Sequence, residues 1–185
     1  MRLYLGADVG TTHITALVLD ADSGDILTSQ SILNASETTL PADKARGRSE
    51  WDANKMISLT REAIRRAVAS LADPSAIRGV GISGQMHGMC LLSSDLRPVS
   101  PFFGWQDRRG EERIPGSSES YLERIQRLAG DVPRARLAAG FMGATLFWMK
   151  ENGFSFPTGA RATFISDMVV SWLTGEAPGT DPSNA

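Results

Sequence analysis

This sequence predicts a mixed α/β fold, on three observations. Residues 2–33 hold three short strand-like runs in succession, separated by tight bends. A long stretch of helical periodicity follows them, and after it comes the compact apolar run "IRGVGISG". The resulting order, β-β-β-α-β with more strand beyond, is not the regular alternation of a Rossmann-type sheet.

Each element has its own reason. "RLYLGAD" (2–8) stops at a Gly/Thr bend, "ITALVLDA" (14–21) alternates and meets the turn "DSGD", and "ILTSQSIL" (26–33) completes an antiparallel meander. Residues 34–50 are polar and irregular and predict a surface loop. Ser49 with Asp52 three residues on predicts a capping-box start for a helix. Met56, Leu59, Ala63, Ala67 and Leu71, joined by Ile64 and Val68, then form its apolar stripe, while Arg61, Glu62, Arg65 and Arg66 form its wet face. Asp73-Pro74 ends that helix. "IRGVGISG" (77–84) predicts a buried strand and "GMCLLS" (88–93) another. From Asp107 onward helices are predicted over 107–114, 118–129 and 143–152, the last with Met142, Phe147, Trp148 and Met149 as core residues. "ARATFISDMVVSWLTGE" predicts a short strand feeding a helix that Gly175 closes, and the final "PGTDPSNA" predicts no element.

Composition narrows the function. With 185 residues the chain can bury one domain, and 42% hydrophobic with 22% charged residues is ordinary for a globular protein. A net charge of -2 argues against nucleic acid or an anionic membrane as partner, since both need a basic face. The single Cys90 lies in an apolar stretch and cannot form an internal disulfide, which fits a reducing compartment. The N-terminus lacks an apolar signal core and no run reaches the ~20 apolar residues of a membrane helix. A cytoplasmic location is the expectation.

Three stretches carry chemistry. "DVGTTH" (8–13) puts a carboxylate, a glycine and two hydroxyls in the bend between two strands. Such a bend binds phosphate through consecutive N–H groups, with Asp8 placed to hold Mg²⁺ through water. The alternative, which the short spacing alone favours, is a hairpin turn in which Asp8 and Thr11 satisfy local backbone groups. No G-x-x-x-x-G-K is present, so it is not a Walker loop. "GISGQMHG" (81–88) places Gln85, Met86 and His87 after a strand, suited to a hydroxyl-rich ligand or simply to a strand end with a satisfied histidine. In "FFGWQDRRG" (102–110), Trp105 beside Asp107 offers an aromatic wall and a hydroxyl acceptor; the alternative is a buried Trp with Asp107 as a helix N-cap. His13 and His87 are the only histidines, so a protein-built metal cage is not expected.

Taken together, "LGADVGTTHITALVLD", "GVGISGQMHGMCLL", "WQDRR" and "DMVVSWLTG" with "TDPSNA" occur in the order seen in the FGGY carbohydrate kinases. The chain resembles the N-terminal part of one of them. "GQMHG" is similar to the ketose-handling branch of xylulokinases and sedoheptulokinases, and "WQDRR" and "AAGFMGATLFWMK" resemble the sedoheptulokinases more.

The resemblance implies an actin-like ATPase (RNase H-like) domain, one of two around a cleft. Gly10, Thr11, Thr12 and His13 would face the phosphates of ATP, with Asp8 near Mg²⁺. Gln85, Met86, His87, Trp105 and Asp107 would line the pocket of a small-molecule ketose. The reaction implied is transfer of the γ-phosphoryl group to a primary hydroxyl. Arg108 departs from the family pattern, which has Gly after this Asp. The catalytic Asp and the C-terminal kinase domain are expected downstream of Ala185, so the chain alone is expected to be inactive. A non-catalytic sugar-binding or interaction module is the alternative. An apolar cleft face left open would favour a homo-oligomer.

Overall fold

The computed structural model describes residues 2–130 and 137–180. Strands β1 (Leu3–Val9), β2 (His13–Asp20) and β3 (Ile26–Leu33) form the predicted antiparallel meander, and β5 (Ile77–Gly84) joins β1 in parallel. The sheet order is β3-β2-β1-β5. Two short ribbons lie outside it: β4 (Glu50–Trp51) pairs with β7 (Phe102–Phe103), and β6 (Cys90–Leu92) pairs with β8 (Arg161–Thr163). "GMCLLS" is thus a strand as predicted, but in its own ribbon.

Alternation decides which face is core. Leu3, Leu5, Ala7 and Val9 of β1 and Ile14, Ala16 and Val18 of β2 all point to one side and are buried. Helix α2 (Ala53–Ala69) covers that side with Ala53, Met56, Thr60, Ala63 and Ala67, whose three- and four-residue spacings make one stripe. Glu62 sits on the wet face and pairs with both Arg65 and Arg66. The helix starts later than the predicted capping box. Because Glu50–Trp51 is extended in its ribbon, Asp52 is the cap and accepts from the Lys55 amide at 3.0 Å. Leu71 falls past the helix end but still packs on the core.

Three further expectations are corrected. β5 is not a buried strand: Val80 is 51% exposed, because among the described residues β5 has one neighbouring strand and forms the sheet edge. Residues 107–114 hold only a 3-10 turn, Arg109–Glu111, because Asp107 and Arg109 turn inward instead of lining a solvated helix. The 34–50 loop contains the short helix α1 (Pro41–Ala45), and its first residues, Asn34 and Ser36, are buried.

The remaining helices lie close to prediction. α3 (Tyr121–Ala129) starts at a Ser120/Glu123 capping box, and α4 (Met142–Glu151) buries Met149 against Met89, Leu91 and Phe103, with Met142 and Trp148 packed alongside. Phe147 is only partly buried. α5 (Ile165–Thr174) follows β8 and ends at Gly175, whose φ of 73° is the left-handed closure expected of glycine. Residues 181–185 of the C-terminal stretch lie outside the described residues. Among the described residues, no helix is long and apolar enough to cross a membrane.

Candidate functional site

β1 and β5 run in parallel, side by side, and the two loops at their carboxyl ends carry the first two candidate motifs. Ligands of open α/β sheets gather at such strand ends. Gly10 begins the β1–β2 turn by donating its amide to the His13 carbonyl at 3.1 Å, and a Cβ at Gly10 would fall 2.9 Å from that oxygen. The buried Asn34 clamps the turn from behind. Its Nδ2 donates to the Gly10 carbonyl and its amide to the Thr12 carbonyl, each at 2.8 Å, while the Ser36 hydroxyl donates to Asn34 Oδ1. The carbonyls of Gly10, Thr12 and His13 are therefore consumed inside. The amides and hydroxyls of Thr11 and Thr12 have no partner among the described residues. Free donors facing outward suit an anion.

Asp8 is exposed beside this turn. The register places Ser31, Thr15, Asp8 and Ser83 in one polar row across all four strands. Within it, Ser83 Oγ donates to Asp8 Oδ1 at 2.7 Å, fixing the carboxylate and leaving Oδ2 without a partner among the described residues. No cluster of three or more His, Cys, Asp or Glu forms a metal cage among the described residues. One open carboxylate oxygen still fits Mg²⁺, which keeps several waters and takes its other ligands from substrate phosphates. His13 opens β2 and is exposed.

In the loop after β5, the Gln85 amide donates to the Val9 carbonyl at 3.2 Å, tying this loop to the end of β1. Gln85 Nε2, Gln85 Oε1 and His87 Nδ1 are buried without a hydrogen-bond partner among the described residues. Leaving such atoms unpaired costs about 1–3 kcal/mol each, so they mark a place for a polar ligand or water. His87 has a φ of 66°, a left-handed conformation that costs a side-chain-bearing residue roughly 1–2 kcal/mol. Its ring stacks on Phe141 with centroids 4.0 Å apart. Met86, 54% exposed, projects outward.

Trp105 is 49% exposed, as an aromatic wall requires. Asp107 departs from its expected role as a hydroxyl acceptor. It is 0% exposed, and Arg109, 2% exposed, donates to it from its amide, Nε and Nη2 at 2.8–2.9 Å, while the Ser49 amide donates at 2.8 Å. Four donors fill a carboxylate's acceptor capacity. Asp107 thus anchors the loop that presents Trp105. Burial pulls the Arg109 guanidinium down, but its bonds to Asp107 and Glu50 outweigh this and hold it above its ordinary value. Its flat face also lies over the Phe103 and Trp148 rings, at 4.2 and 4.8 Å. Arg108 adopts a φ of -109°, outside the left-handed region, so the turn forms without the glycine that the resemblance implied.

A cavity of about 370 Å³ is lined by Thr11, Thr12, Ser49, Trp51 and Gln106 among others, and joins the β1–β2 turn to the Trp105 loop. Gln85, Met86 and His87 are not among its lining residues. A larger hollow of about 440 Å³ lies among Lys44, Arg46, Arg108, Glu111 and Glu112. It contains none of the candidate residues and its charges pair with carboxylates, as in Arg108–Glu111 and Arg46–Glu112. Of these two, the smaller is the one that candidate residues line, through Thr11 and Thr12.

Sequence reasoning missed Asn34, Ser83 and Phe141. The polar Asn directly after a strand was a signal for the first. The other two act only through partners distant in sequence.

Comparison with known proteins identifies the family and the fold. The profile of the FGGY family of carbohydrate kinases, N-terminal domain, matches residues 3–185. Xylulose kinase of Staphylococcus xylosus is 26% identical over 100% of this chain and 36% of its own length. Sedoheptulokinase of Mus musculus is 29% identical over 92% of this chain and 38% of its own. The chain thus spans little more than a third of these relatives. Among solved structures, a xyloylose kinase from Brucella ovis superposes with a TM-score of 0.75 and 29% identity, over 95% of this chain and 34% of that one. Glycerol kinase of Plasmodium falciparum with ADP shares the fold, at a TM-score of 0.73 and 16% identity over 100% of this chain and 36% of that one. The mixed sheet and its flanking helices are those of the actin-like ATPase fold, and the chain belongs to the FGGY family of carbohydrate kinases, whose N-terminal domain it matches along almost its whole length.

Proposed function

We propose that this domain is the sugar-binding and phosphate-loop part of a kinase that transfers the γ-phosphoryl group of ATP to a primary hydroxyl of a ketose, xylulose or sedoheptulose. The observation that carries the reading is the set of unsatisfied polar groups at neighbouring strand ends: the donors of Thr11 and Thr12 beside Asp8, and the buried atoms of Gln85 and His87. One group suits phosphate, the other hydroxyls.

In this reading the amides of Thr11 and Thr12 orient phosphate oxygens, and Asp8 Oδ2 would hold a water of Mg²⁺. Magnesium supplies neutralisation of the charge on the transferring group. Gln85 can donate to one sugar hydroxyl and accept from another, and His87 Nδ1 addresses a third. Met86 and Trp105 give the carbon skeleton an apolar wall. Transfer forms a bond from the sugar oxygen to phosphorus and breaks the bond to the bridging oxygen, so ADP leaves. The hydroxyl proton needs an acceptor. Asp107 is filled by Arg109 and Ser49, and Asp8 belongs to the phosphate side, so neither serves. We place the base in the part of the longer relatives that this chain does not match.

Two assays test the reading. Titration with xylulose and sedoheptulose should quench tryptophan fluorescence through Trp105, whereas a coupled ADP assay with ATP, Mg²⁺ and ketose should show no turnover by the 185-residue chain. Turnover at the rate of a full-length kinase would overturn the assignment of the base. Sugar binding by the full-length protein without any phosphoryl transfer would favour a non-catalytic binding module.

A further inference from the structure

The start of α4 touches both walls of the proposed sugar site, through two adjacent residues. At Gly140 a Cβ would fall 1.8 Å from the Trp105 carbonyl oxygen and 2.5 Å from its carbon, so only glycine lets the two backbones meet. At Phe141 the ring lies against the His87 imidazole, with centroids 4.0 Å apart and planes 20° from parallel. These two contacts are independent, one backbone to backbone and the other ring to ring.

His87 needs such a support. Its backbone is left-handed, a conformation the residue does not hold by its own preference, and among the described residues its buried Nδ1 has no hydrogen bond to fix the ring. Among the described residues the ring's oriented contact is the Phe141 stack. Phe141 is itself fixed as the N-cap residue of α4, with φ -83° and ψ 148°, and α4 is held by the buried Met149 against Met89, Leu91 and Phe103.

We propose that Phe141, seated against Trp105 by its neighbour Gly140, is the positioning residue that holds the His87 imidazole for the ketose. It acts through His87 and has no part in phosphate contact. This rests on the reading of Gln85–His87 and Trp105 as a ketose site. Losing the stack frees the imidazole to leave its pose, and the sugar must then order it on binding.

The test combines a spectroscopic and a thermodynamic readout on the 185-residue chain. With two histidines in the chain, a His87→Asn variant assigns the imidazole C–H resonances. The Phe141 ring should shift those of His87 upfield in the wild type and in Phe141→Tyr, and the shift should vanish in Phe141→Leu. Calorimetric titration with the tighter-binding of xylulose and sedoheptulose should show Phe141→Leu weakened about fivefold to tenfold, the size of a lost aromatic stack, and Phe141→Tyr within about twofold of wild type. If the Leu variant does not fold, Phe141→Met takes its place, with the same expectations. An unchanged His87 resonance, or a displaced resonance with unchanged affinity, overturns the proposal. No ketose binding by the wild type overturns the sugar reading and the ligand named here, while the resonance comparison still decides whether Phe141 holds His87.

Discussion

Asp107 and Arg109 are two residues apart, both almost wholly shielded from water, and joined by three hydrogen bonds, with Glu50 as a further partner of Arg109. Removing one charge leaves the other buried and unpaired. Arg109→Met should therefore lower stability by about 3–5 kcal/mol, read from urea unfolding, and adding Asp107→Leu should recover part of that loss. Asn34→Ala removes the donor to the Gly10 carbonyl and should cost about 1 kcal/mol. Its local signature is a shift of the amide resonances of Gly10–His13. If those resonances stay put, Asn34 is not the clamp of the turn. Neither pair was legible in the sequence. Asp107 and Arg109 sit in a charged run, "DRRGEER", whose composition reads as a solvated helix face, and Asn34 acts on a residue 24 positions away.

At the scale of elements, strands β1–β3 and helix α2 were legible because alternation and helical spacing are local and record which face meets the core. β5 was misread for the same reason: an apolar run says strand, but not how many neighbours the strand has. α3 offers a test of surface electrostatics. The bonds from Arg127 and Arg124 hold the Glu119 carboxyl at about 2, against an ordinary value of 4.5. On α2, Arg65 and Arg66 hold the Glu62 carboxyl at about 2 in the same way. A carboxyl depressed on folding contributes stability above the unfolded pKa and loses it as pH falls through the folded one. Glu119→Gln should therefore lower the thermal midpoint at pH 7, and the gap to wild type should narrow between about pH 4.5 and 2. A gap that stays constant over that window would show that these pairs do not drive the acid limb. Glu112 is different, since burial pulls its carboxyl up while Arg48 and Arg46 more than offset this.

Across the whole molecule, the motifs "DVGTTH", "GQMHG" and "WQD" lie far apart in sequence, and the fold brings their loops together. The parallel pairing of β1 with β5 sets the first two side by side, and the contacts of Gly140 and Phe141 connect the third. The order of motifs was enough to name the family, but not which polar groups remain open. That depends on pairings such as Asp107 with Arg109, which remove a candidate acceptor, and on the side-chain Oε1 of Gln85, unpartnered among the described residues, which supplies one. The central claim is that Gln85 and its neighbours recognise a ketose from this domain alone. Calorimetric titration of the 185-residue chain and its Gln85→Ala variant, with xylulose and with sedoheptulose, tests it most directly. Saturable one-to-one binding by the wild type, weakened about tenfold or more in the variant, is the predicted result; no binding by the wild type, or equal binding by both, would contradict it.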